Sequence, residues 1–146
     1  MYSKVLLAYD GSESGRRALL ECADINNLLQ AQIHLLAVAP IAATLFVAEG
    51  FVADVPQEEE NERFAEVLRE GLAQLKTRNV TAEGHLVTGD AVHEITRMAR
   101  ELAVDLIVIG HTHHTSRLER WWKGSVGASL VEEAPCSILV AVQHPS

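Results

Sequence analysis

Asp105-Leu-Ile-Val-Ile-Gly110 is the stretch on which the fold turns. Leu106 to Ile109 are four consecutive large aliphatic residues, three of them β-branched, with no polar alternation. Such a run reads as a strand buried on both faces, and strands of that kind belong to parallel sheets covered by helices on each side. This strand is therefore expected at the sheet centre. Upstream, Lys4 to Tyr9 is a second apolar run, ended by Asp10-Gly11-Ser12, and Ala18, Leu19, Cys22, Ala23, Ile25, Leu28 and Leu29 follow at mostly helical spacing. Gln32 to Val38 is again strand-like, and Phe64, Val67, Leu68, Gly71, Leu72 and Leu75 mark one helix face. Val80 to Val87 predicts a strand broken at Gly89-Asp90, and Ile95, Met98, Ala99 and Leu102 form the next helical stripe. Downstream, Val126 to Glu133 predicts a short helix stopped before Pro135, and Ser137 to Val142 a last strand. Five β units alternate with four helices. That order predicts an α/β fold with a mostly parallel sheet and helices on both faces, with ligands held beyond the carboxyl ends of the strands where the winding reverses.

A length of 146 residues suits one domain over 1–146 and is short for two cores. The chain is 48% hydrophobic and 22% charged, which excludes a disordered polymer, while 5% aromatic content leaves the core to Val, Ile, Leu and Ala. Twenty acidic against twelve basic side chains give a formal charge of −8, which repels phosphate backbones and anionic lipid, so neither nucleic acid nor membrane is expected as a partner. Cys22 and Cys136 sit in apolar contexts as inert thiols would. No export signal is read at Met1. The apolar stretch Ala39 to Val55 is interrupted by Glu49, Gly50 and Asp54, short of the roughly 20 apolar residues a span needs. A reducing, cytoplasmic setting is expected.

The chemistry concentrates in Gly110 to Ser125. This loop carries His111, His113 and His114, three of the seven histidines, with Arg117, Arg120 and Lys123, a basic island in an acidic chain. Gly124-Ser125 directly precedes a predicted helix. There, unpaired N–H groups and the positive dipole end either receive a phosphate or are satisfied by a turn and an N-cap alone. The imidazoles are read as phosphate-facing or solvated, and no metal ligand is assigned, because a structural zinc site wants four ligands and neither cysteine is close in sequence. His34 and His93 are expected as ordinary surface residues. No catalytic constellation is present: Ser12 and Ser14 lack a nucleophile elbow, and Gly11 to Gly15 lacks the lysine of a P-loop. At most weak ATP hydrolysis is expected. The long apolar connection Ala39 to Pro56 covers the pocket, packs on a dimer mate, holds a partner protein or is buried within the chain. Ser137 to Val142 predicts an apolar edge that pairs with a second copy.

Taken in order, the opening strand into Asp10-Gly11-Ser12 with Ala18, then Gly89-Asp90-Ala91, Asp105 to Gly110, Gly124-Ser125-Val126 and Ala134-Pro135-Cys136-Ser-Ile-Leu-Val140 resemble the universal stress proteins over essentially the whole chain. The resemblance implies a Rossmann-like, adenine nucleotide alpha hydrolase-like sheet in the order 3-2-1-4-5, two helices on each face, and dimers through the last strand. It implies a stress-response module that regulates or senses a ligand, with ATP (carrying Mg) or AMP at the switch point. The alternative is a nucleotide-free dimeric interaction scaffold. By the same resemblance, Ala8, Val38 and Ile109 line the adenine pocket, Asp10 meets the ribose or base, and Gly110, His113, Arg117, Gly124, Ser125 and Val126 surround the phosphates. Nucleotide-binding members carry Gly-x2-Gly-x9-Gly-[Ser/Thr]. Gly110 and Gly124-Ser125 match, but the middle position holds His113 or His114, and the loop is one residue longer.

Overall fold

The computed structural model describes residues 2–41, 44–46, 52–54, 56–112 and 126–143. Five parallel strands form the main sheet: β1 (Lys4–Ala8), β2 (Gln32–Ala39), β5 (Ala82–Thr88), β6 (Leu106–Thr112) and β7 (Ser137–Gln143). Their spatial order is β5-β2-β1-β6-β7, which is third, second, first, fourth, fifth along the chain. Between them run α1 (Glu13–Leu29), α2 (Gln57–Thr77), α3 (Ala91–Glu101) and α4 (Val126–Glu133).

The period-2 alternation of side chains divides the interior into two layers. Val5, Leu7, Ile33, Leu35 and Val108 face α1 and α2, where Leu19, Cys22 and Leu75 meet them. Leu6, Leu36, Val38, Ile107 and Ile109 face α3 and α4, where Ile95, Met98, Ala99 and Leu130 close the layer. The continuous apolar runs of β1, β2 and β6 are explained by this covering on both sides. Burial pushes the Cys22 thiol up to about 12, so it is an inert space-filling group. At the amino end of the sheet, Asp105 clamps the start of β1: its carboxylate accepts from the backbone N–H and the hydroxyl of Ser3 and from the N–H of Lys4, at 2.9 to 3.0 Å. These bonds, that of Ser3 N–H foremost, hold its carboxyl below the usual range.

Two sequence expectations are corrected here. The Ala39–Pro56 connection contains an antiparallel hairpin, β3 (Thr44–Phe46) paired with β4 (Val52–Asp54), with Leu45 opposite Ala53. Three-residue strands are too short to leave a periodic signature. His34 is not a surface residue. It is buried in β2, beside the edge strand β5, and its Nδ1 lies 3.0 Å from Nε2 of His85. Burial, then the charges of His85 and Lys4, hold its imidazole below the usual range, against the pull of Glu83. His93 is exposed, as expected.

Candidate nucleotide site at the switch point

The winding reverses at β1, whose neighbours are β2 on one side and β6 on the other. At the carboxyl ends of these three adjacent strands, Ala8, Val38 and Ile109 are buried in one apolar cluster on the α3 and α4 side. They form an apolar floor under the switch point, with no polar side chain of their own.

Asp10 stands at the rim of this floor, in a turn shaped by local chemistry. Its Oδ1 accepts from the Ser12 N–H at 2.9 Å, the Asx geometry that lets a chain reverse immediately after a strand. Gly11 adopts φ +84°, which a side chain would strain. Ser12 then caps α1: its Oγ accepts from the Gly15 N–H at 3.0 Å and its carbonyl from the Arg16 N–H at 2.9 Å. The Asp-Gly-Ser sequence is thus a turn and helix cap as well as a carboxylate presented at the switch point.

Beneath the turn lies Tyr9, the largest fully buried side chain of the described residues. Its hydroxyl donates to Oε1 of Glu70 at 3.4 Å, and Arg16 holds the same oxygen at 2.7 Å. Burial, opposed in part by Arg16, raises the phenol above its usual range. Sequence reading placed Tyr9 only as the end of an apolar run; this link between β1, α1 and α2 joins residues up to 61 apart in sequence.

Gly110 is buried in β6, and its need for glycine has a reason the motif does not contain. A Cβ there would lie 2.0 Å from the carbonyl oxygen of Ser14 and 2.8 Å from the amide nitrogen of Gly15, so β6 presses directly on the backbone of the first turn of α1. The fold requires this glycine whether or not a phosphate is present. Of the remaining expected site residues, Val126 opens α4. That helix ends at Glu133, just before the amino end of β7, so its first turn points back toward the carboxyl ends of the strands. The structure therefore brings together Ala8, Asp10, Val38, Ile109 and Gly110 at the end of the sheet toward which α4 starts. His113, Arg117, Gly124 and Ser125 lie outside the described residues.

A five-stranded parallel sheet whose winding reverses at its first strand, with helices on both faces, defines the class of doubly wound α/β folds. Residues 1–142 match the family model described as the universal stress protein family, and the chain belongs to that family. Universal stress protein YxiE of Bacillus subtilis is 27% identical over 148 aligned residues, covering 96% of this chain and 99% of the relative. Among solved structures, the universal stress protein from Archaeoglobus fulgidus in complex with dAMP superposes with a TM-score of 0.69 at 18% identity, over 95% of this chain and 97% of that one. A universal stress protein family protein from Arabidopsis thaliana with AMP bound also gives 0.69, at 20% identity, over 97% and 92%. Among the described residues, no helix is long and apolar enough to cross a membrane.

Proposed function

We propose that this chain is a regulatory or ligand-sensing module that holds an adenine nucleotide at the switch point. The observation that carries this reading is the convergence of Ala8, Val38 and Ile109 into one buried apolar floor beside the Asp10 turn. A purine ring is apolar on its faces and suits such a floor, and the Asp10 carboxylate can accept from ribose hydroxyls or ring amines. The dAMP and AMP complexes of structural neighbours support the same choice. The phosphates would meet Gly110, His113, Arg117, Gly124, Ser125 and the start of α4 at Val126, with the imidazoles and Arg117 supplying charge-assisted hydrogen bonds in place of the missing middle glycine. Mg would accompany ATP. The free thiols Cys22 and Cys136 fit a reducing cytoplasm.

Calorimetric titration with AMP and with ATP, each with and without magnesium, is expected to show binding with Kd of about 1 mM or tighter. Gly124→Val should abolish it, because a branched side chain at the helix start blocks phosphate approach. No heat from either nucleotide at millimolar concentration would leave the nucleotide-free scaffold as the better reading.

Assembly belongs to the same proposal. β7 pairs with β6 on one side only, and it carries Val140 and Val142, which are 39% and 36% exposed. An apolar edge of this kind favours strand pairing with a second copy over Ser137 to Val142. Val140→Lys is expected to weaken the homodimer at least about tenfold in sedimentation, since both copies carry the change. Ile138 packs against the inner cluster, so a lysine there would disturb the fold itself. A parent chain that sediments as a monomer at micromolar concentration would remove this part of the reading. The connection Ala39 to Pro56 is the segment we assign to a protein partner.

A further inference from the structure

We propose that His34, Glu83 and His85 form a binding site for a borderline divalent cation of the zinc class, on the sheet edge away from β7. β5 is that edge, and its register with β2 places Glu83 opposite His34 and His85 opposite Leu36. Residues paired across parallel strands share a face, and so do i and i+2 on one strand, so all three side chains lie on the α3 side of the sheet.

The three donor atoms are already gathered. Nδ1 of His34 is 3.0 Å from Nε2 of His85 and 3.5 Å from Oε2 of Glu83, and all three lie within 4.8 Å of one another. Tetrahedral zinc at its usual distance of about 2.0–2.2 Å from imidazole nitrogen and carboxylate oxygen sets its ligand atoms about 3.3 Å apart. The two short separations bracket that edge, so capture requires small side-chain rotations and no backbone movement. Two imidazoles with one carboxylate select zinc, copper or nickel over magnesium and calcium, which take oxygen ligands.

Burial grades across the site in the manner an ion needs. His34 is anchored in the sheet with its side chain 4% exposed, His85 is half-buried, and Glu83 is 63% exposed. The cation would enter from the solvent side of β5, and three protein ligands leave a position for water or for a donor from another molecule. Without the ion, one imidazole donates its proton to the other across the 3.0 Å contact. Ion capture needs a lone pair on both of those nitrogens. The donating ring therefore carries its proton on its other nitrogen instead, and no net proton is released from two neutral rings. Such a clamp would tie the edge strand to β2, independently of the switch point and of the loop histidines.

The test uses the intact chain with zinc ion as the probe, titrated against a competing chelator, and cobalt ion as a spectroscopic substitute. A background variant, His113→Gly with His114→Gly, removes two of the three loop imidazoles and so breaks up the other histidine cluster that offers zinc ligands. One equivalent of zinc is expected in this background, with a tetrahedral-type cobalt spectrum and a rise of several degrees in the unfolding midpoint when zinc is in large excess. His85→Gln should remove the cobalt signal and weaken zinc at least about tenfold, and Glu83→Gln should weaken it as well. Glu83 is exposed, so its variant tests the site even if His85→Gln is less stable. The proposal is overturned if the background variant binds no zinc at about 1 mM, or if binding is unaltered in both His85→Gln and Glu83→Gln.

Discussion

Gly110→Ala is expected to destabilise the protein by about 3 kcal/mol, and to lower its thermal midpoint by roughly 10 °C. The single methyl it adds would point at the Ser14 carbonyl from 2.0 Å. That carbonyl belongs to the first turn of α1, which is fixed by the Ser12 cap and by the burial of Ser14, so no flexible side chain can give way. Either β6 or α1 must shift, and both form the switch point. Nucleotide affinity should therefore fall together with stability. Gly84→Ala is the matched control. There the methyl meets the tip of Leu72 at 2.9 Å and then the tips of Leu68, side-chain ends that can rotate, so the cost should stay below about 1 kcal/mol. Circular-dichroism melts of the two variants beside the parent decide the matter. A Gly110→Ala midpoint within a degree of the parent would mean that β6 and α1 are not in the contact described.

Tyr9→Ala is expected to cost about 3–5 kcal/mol in urea unfolding, a large part of the 5–15 kcal/mol typical of a domain. The ring is fully buried and held between two helices at their glycines: a Cβ on Gly15 of α1 would touch it at 3.0 Å and one on Gly71 of α2 at 2.9 Å. Backbone approaches this close leave a cavity that cannot collapse by side-chain rearrangement alone. Tyr9→Phe keeps the ring and loses the long 3.4 Å hydrogen bond to the partly exposed Glu70 carboxylate together with the hydroxyl's interaction with Arg16, so about 1 kcal/mol is expected. If both variants cost the same, the hydroxyl and not the packing would be what matters at this position.

The two variants locate the boundary between what one-dimensional reading reaches and what it does not. The strands β1, β2 and β6 were legible because burial on both faces leaves runs that are almost wholly apolar, His34 of β2 excepted, a property that each segment carries alone. Helices α2 and α3 were legible because a covered face repeats at helical spacing. The Asp10-Gly11-Ser12 turn was legible because its needs are local: a side-chain acceptor, a residue free to take positive φ, and a cap. The sheet order came from the resemblance carried by spaced motifs, and the structure has the same order. Ala8, Asp10, Val38, Ile109 and Gly110 do meet at one end of the sheet.

What only the tertiary structure decided are the relations set by register and close approach. His34 read as a lone surface residue because nothing in its own strand reveals that Glu83 and His85, 49 and 51 positions later, fall beside it when β5 pairs with β2. The sequence motif assigns Gly110 to a phosphate, yet its need for glycine arises from the backbone of α1, nearly a hundred residues earlier. The β3–β4 hairpin is too short for periodicity to betray it. Secondary structure and turn chemistry depend on neighbours in the chain, so the sequence alone determined the five strands of the main sheet, the four helices and the acidic turn. Strand pairing and helix packing bring distant residues to contact distance, and only after that could the imidazole pair, the buried tyrosine link and the true constraint on Gly110 be seen.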